Sequence, residues 1–222
     1  MAAPEVAAFF GPHGKTLSVR DRADFEAKIR DVDHEVPGRT QGRTSVHRER
    51  YCILIWLRTI VRCSKIQFPF AISKCESPDF IIEHPAGSMG LEHTDAGSQE
   101  YQRWLTEIEK PPVPQLLPNE DGYVELLPNE DGYVGDQERA WADDIKKAIL
   151  NKQDKLKSEH FQKVNFYELM IYEVSGFVED GAVRRLLPKI GDWYRNSQGS
   201  QRARYCAIWV VRGFDRVFGV QV

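Results

Sequence analysis

The segment from Glu76 to Thr94 constrains the fold of this chain more than any other. An apolar run, Phe80-Ile81-Ile82, is followed by turn residues Pro85-Ala86-Gly87-Ser88 and a second run through Leu91, the pattern of a β-hairpin. Asp79 stands at the entrance of the first strand and Glu92 inside the returning one. Antiparallel neighbours approach to about 5 Å, so two carboxylates met in this way repel unless a cation lies between them. Mg²⁺ takes oxygen ligands and keeps several of its waters. The hairpin therefore predicts a metal site at Asp79 and Glu92, holding Mg²⁺ (or Mn²⁺), with phosphate chemistry as its natural use.

The 222 residues are expected to form a single domain, since a chain of this size can bury roughly 70% of the surface it exposes when unfolded. A net charge of −3 argues against a protein that coats nucleic acid indiscriminately, but leaves room for a local basic face. Cys52, Cys63, Cys75 and Cys206 are scattered without a CxxC pair, which speaks against a zinc knuckle or a disulfide framework and for reduced thiols in a cytoplasmic protein. Residues 1–10 lack the positive start and long apolar core of a secretory signal. The longest apolar run, 51–61, is broken by Arg58 and is too short to span a bilayer, so no membrane association is expected.

Periodicity orders the rest. Residues 18–31 read as a short polar helix capped by Ser18 or Asp21, and 48–63 as a buried helix, with a strand at Ile53-Leu54-Ile55-Trp56 as the alternative. Residues 68–74 form the strand leading into the hairpin. A helix over 99–109 carries Trp104, Leu105 and Ile108 on one side and stops at Pro111-Pro112. The nine residues from Leu116 to Val124 then recur unchanged from Leu126 to Val134. Two copies are too few for a solenoid, and Pro-Asn-Glu-Asp-Gly is turn chemistry, so 110–135 reads as a surface loop with a duplicated turn. A helix over 136–158, a strand over 165–174, a helix through Val183, Leu186, Leu187, Ile190 and Trp193, and two strands over 204–211 and 214–220 complete an α/β domain around a mixed sheet.

Pro78-Asp79, a gap, then Glu92-x-Thr94 resembles the PD-(D/E)xK nuclease superfamily, in its variants where the last lysine has left the strand. The resemblance covers roughly residues 48–174. It implies a restriction-endonuclease-like αβββαβ core, Asp79 and Glu92 as metal ligands, and Thr94 at the position where the superfamily usually carries the lysine that assists attack on the phosphodiester. A threonine hydroxyl supplies no positive charge to a transition state. Some members draw a further acid from the first helix, which makes Glu49 a candidate, and Glu76 is a similar one.

Geometry supplies a replacement lysine. On the 136–158 helix Trp141, Ile145, Ala148, Ile149 and Leu156 form the apolar stripe, and an advance of about 100° per residue puts Lys152 in its middle. Lys146, Lys147 and Lys157 fall outside it. A lysine on a buried face needs a partner or a task, unless its stem merely packs while the ammonium reaches water. His93 alternates away from Glu92 and reads as structural. Asp79 has a plain alternative as well, capping the backbone at a strand entrance.

Together these readings predict a Mg²⁺-dependent nuclease that hydrolyses phosphodiester bonds of nucleic acid, with DNA as the expected substrate. Asp79, Glu92, Lys152, Thr94 and Glu49 form its site, and Arg39, Arg43, Arg48 and Arg50, in and beyond the loop at 37–44, steer the substrate backbone. Two rivals remain: a catalytically inactive nuclease-fold binding module with Thr94 as its lesion, and a protein-interaction domain that presents the acidic, tyrosine-bearing turn of its duplicated loop to a protein partner.

Overall fold

The computed structural model describes residues 16–30, 44–97, 137–157, 161–173, 178–198, 204–213 and 216–222. The expected helix over 99–109, the duplicated turn in the 110–135 loop, residues 1–15 and residues 31–43, with Arg39 and Arg43 among them, lie outside the described residues.

Seven strands form one open mixed sheet in chain order: β1 (Thr16–Val19), β2 (Phe70–Lys74), β3 (Phe80–His84), β4 (Gly87–Ala96), β5 (Phe166–Glu173), β6 (Tyr205–Arg212) and β7 (Arg216–Gln221). The β4–β5 and β5–β6 pairs are parallel and the others antiparallel. Four helices are described: α1 (Arg22–Ile29), α2 (Ser45–Arg62), α3 (Gln137–Gln153) and α4 (Asp180–Gln198). Parallel neighbours need a crossover, and α3 and α4 supply the two that join β4 to β5 and β5 to β6. No helix among the described residues is long and apolar enough to cross a membrane.

Alternation along the strands divides the core in two. Leu91, Met170, Tyr172, Trp209 and Val211 face α1 and α2, while Ala96, Leu169, Ile171, Ile208 and Val210 face α3 and α4. Helix α2 is the better-buried cover. Residues 51–57 are all buried, and Trp56 meets Trp209 edge-on with ring centroids 6.2 Å apart. Each fully buried Leu or Ile contributes about 1.5–3 kcal/mol, which outweighs the strand-like local sequence 53–56. A capping box settles the start of the helix: Thr44 accepts from the His47 amide while His47 Nδ1 accepts from the Thr44 amide.

The structure corrects several boundaries. Residues 18–31 are not one helix. Leu17 and Val19 alternate inward at 1% exposure each and make β1, which pairs with β2, so Ser18 lies in a strand. Helix α1 starts after Asp21, whose carboxylate accepts from the Asp24 amide at 2.8 Å. The hairpin turn is tighter than the four residues 85–88, because β4 already begins at Gly87 and runs on to Ala96. Helix α3 stops at Gln153, and Leu156 belongs to a separate 3₁₀ turn, Lys155–Lys157. The joint expected at Arg212-Gly213 is displaced too: Arg212 is the last residue of β6, at 2% exposure. Its guanidinium holds Glu173 at 2.6 Å, Asp180 at 2.8 Å and the Val178 carbonyl at 2.7 Å. Three partners offset part of the cost of taking that charge out of water.

Candidate functional site

Register brings the two hairpin acids together. Phe80 pairs with Leu91, so one step outward Asp79 falls opposite Glu92. The approach to this position is held by close packing. A side chain at Gly90 would meet the Pro78 ring at 2.9 Å and the Tyr167 ring at 2.7 Å, so the bare glycine lets Pro78 lie against β4. Two backbone bonds then fix Asp79: its carbonyl accepts from the Cys75 amide at 2.9 Å, and its Oδ2 accepts from the His93 amide at 2.6 Å. This is the backbone-capping role that a strand-entrance aspartate performs. The same oxygen has a second partner.

That partner is Lys152, in the last turn of α3. Its ammonium donates to Glu92 Oε2 and lies 3.5 Å from Asp79 Oδ2. The cation required between the facing carboxylates is therefore supplied by the chain itself. The Glu92 side chain is 3% exposed and that of Lys152 13%, so the ammonium is turned inward and does not snorkel. The end of α3 is anchored around it. Tyr205 Oη donates to the Lys152 carbonyl at 3.3 Å, Tyr194 Oη to Gln153 Oε1, and the Tyr205 amide to Tyr194 Oη at 3.0 Å. All three of those side chains are buried.

The other anticipated residues are distributed around this centre. Thr94 pairs with Ile171 and, two residues beyond Glu92, shares its face of the sheet. Glu49 comes from α2 on the opposite face, 3.2 Å from the ammonium of Lys74 at the end of β2, and within electrostatic range of Asp79 and Lys152. Arg48 is engaged by Asp95 at 2.9 Å, which turns its charge to a carboxylate of the same chain. Arg50 is half-buried in α2, and Glu76 is exposed. His93 alternates to the other face of β4 from Glu92, and its Nε2 lies 3.8 Å from Asp95 Oδ1.

Burial dominates the electrostatics. It pushes the Glu92 carboxyl up, the Asp79 charge adds to the rise, and Lys152 opposes it. Glu49 is likewise raised by burial, against the pull of Lys74. His93 is driven down to about 3 by burial, with the Lys152 and Arg48 cations adding to the fall, so its ring is neutral. The Tyr205 phenol is pushed up by burial and then by the charge of Glu92, and it stays a hydrogen-bond donor.

Sequence reasoning did not single out Lys74 or Tyr205. Lys74 had a signal: it continues the alternation of Phe70 and Ile72, which places a lysine on a helix-covered face. Tyr205 had none, because its partners come from other elements.

Asp79 and Glu92 are the residues able to hold a divalent ion. They present hard oxygen donors to a single cation, which in this structure is the Lys152 ammonium. Mg²⁺ usually keeps several waters and is held by one or two carboxylates together with substrate phosphates. No group of three or more His, Cys, Asp or Glu is gathered as a metal cluster among the described residues. Comparisons with protein-family models, curated proteins and solved structures return no match.

Proposed function

We propose that this protein is a divalent-metal-dependent nuclease of the PD-(D/E)xK type, in which the lysine of the motif has moved from strand β4 to the end of helix α3. One observation carries the reading: a lysine from a different element meets both hairpin acids on the face where Thr94 leaves none. The run α2-β2-β3-β4-α3-β5, an αβββαβ order, supports it as the core of a restriction-endonuclease-like fold.

Mg²⁺ bound at Asp79 and Glu92 would lower the pKa of a water ligand and draw charge from the scissile phosphate. The chain's own contribution is positional. The His93 amide bond fixes one oxygen of Asp79, and burial orients the Glu92 carboxylate. Lys152, held at its carbonyl by Tyr205, places positive charge where a phosphoryl oxygen gains negative charge in the transition state. Glu49, paired with Lys74, adds a carboxylate within electrostatic range of Asp79 and Lys152 from the α2 side. A phosphodiester of DNA is the substrate class that such a set serves.

The test is cleavage of a labelled DNA by the purified protein with Mg²⁺, with chelator, and with Asp79→Asn or Glu92→Gln. Cleavage that needs the metal and both acids is the expected result. A second reading has its own observation: every acid around the centre already has a cation of the chain, Lys152 for Asp79 and Glu92, Lys74 for Glu49 and Arg48 for Asp95. That internal neutralisation suits an inactive binding module. DNA affinity that survives chelation, with no cleavage, would favour it.

A further inference from the structure

Two facing carboxylates, one of them almost wholly out of water, need a counter-charge or a shared proton, and the chain provides a cation, the Lys152 ammonium. We infer that Lys152 is a resident counter-ion which a divalent metal must displace, so that the metal and the ammonium compete for the oxygens of Asp79 and Glu92. This deepens the nuclease reading and rests on its metal site.

The ammonium already occupies one oxygen of each carboxylate. Lys152 Nζ is in hydrogen-bond contact with Glu92 Oε2 and 3.5 Å from Asp79 Oδ2, and these are the donors a metal would take. Asp79 Oδ2 also accepts from the His93 amide, so that carboxylate cannot turn freely to offer a second position. The carbonyl of Lys152 is held by Tyr205, and its main chain therefore stays in place while the side chain moves.

Displacement has a consequence for substrate binding. An ammonium deprived of two carboxylates on a largely buried surface needs another anion. Metal and phosphodiester should then bind with positive coupling, each assisting the other by the same factor. Without metal the site is self-closed, and the charge that would meet a phosphate is occupied.

Titration calorimetry with Mn²⁺ alone on wild type, Lys152→Met and Asp79→Asn tests the competition. The methionine keeps the packed stem and removes the competitor, so its Mn²⁺ affinity should exceed that of wild type by roughly 10-fold or more, and Asp79→Asn should bind little. Equal Mn²⁺ affinity in wild type and Lys152→Met, with loss in Asp79→Asn, overturns the inference while the metal site stands. Absence of binding in both wild type and Lys152→Met overturns the two together. Should Lys152→Met fail to fold, wild-type protein with ¹³Cε-labelled lysine gives a second readout under Mg²⁺ titration. The Lys152 methylene, assigned with Lys152→Arg, should lose its order as the ion binds. A methylene that stays rigid through saturation also overturns the inference.

Discussion

The phenol of Tyr205, at the first residue of β6, donates to the carbonyl of Lys152 at the end of α3. The last carbonyls of a helix lack partners within it, so this bond ties the helix end to the sheet beside the Glu92–Lys152 pair. Tyr205→Phe keeps the ring and removes the donor. The expected loss is about 1 kcal/mol of stability, read from urea denaturation, together with increased mobility of the Lys152 side chain by NMR. Unchanged Lys152 dynamics would show that the bond does not position the ammonium.

Gly90 underlies the other half of the site. A methyl group there meets the Pro78 ring at 2.9 Å, and a proline ring cannot rotate aside. Gly90→Ala is expected to destabilise the fold by about 1–3 kcal/mol, as overpacking does, and to shift the His93 amide resonance as Asp79 moves off it. A stable variant with that resonance unmoved would contradict the packing account.

Much of this arrangement is legible in the sequence, for identifiable reasons. The hairpin announces itself by its apolar runs and turn residues, whereas the register that sets Asp79 opposite Glu92 comes from a turn tighter than 85–88, with His84 paired to Gly87. Lys152 follows from the helical period, even though α3 ends before Leu156. What escapes is decided by partners distant in the chain. Strand β1 shows only Leu17 and Val19 inward over four residues, too short a pattern to compete with a polar helix reading. Arg212 next to a glycine reads as a turn, and only Glu173, Asp180 and Val178 make it a buried strand residue.

Arg212 tests that network. Arg212→Met removes the cation and leaves Glu173, itself at 3% exposure, buried without it. Breaking a buried pair from one side costs about 3–5 kcal/mol. The double variant Arg212→Met/Glu173→Leu should recover most of that, measured by chemical denaturation. A single variant as stable as wild type would mean that the pair is not desolvated.

Glu168 supplies a pH dependence away from the site. It is buried against Trp209, whose Nε1 donates to Oε2 at 2.6 Å. Burial raises its carboxyl above the ordinary 4.5, with Trp209 and then Lys65 opposing the rise. The folded chain thus holds this proton more tightly than the unfolded chain. The stabilisation is fully present below about 4.5 and is lost as pH rises through the raised folded value. Glu168→Gln keeps an oxygen acceptor for the indole and never ionises. Its stability relative to wild type should increase as pH rises through that window, from about 4.5 to the raised folded value, and level off above it. A difference that does not vary with pH would show that Glu168 is not titrating in the folded protein.

The central claim is that the charge of Lys152 serves phosphodiester cleavage from helix α3. The most direct measurement is the initial rate of DNA cleavage at saturating Mg²⁺ for wild type and Lys152→Met, with circular dichroism confirming that both are folded. Loss of one preorganised transition-state contact costs about 10²–10³ in rate. The account predicts a fall of at least about 10²-fold in Lys152→Met. A rate equal to wild type would contradict it.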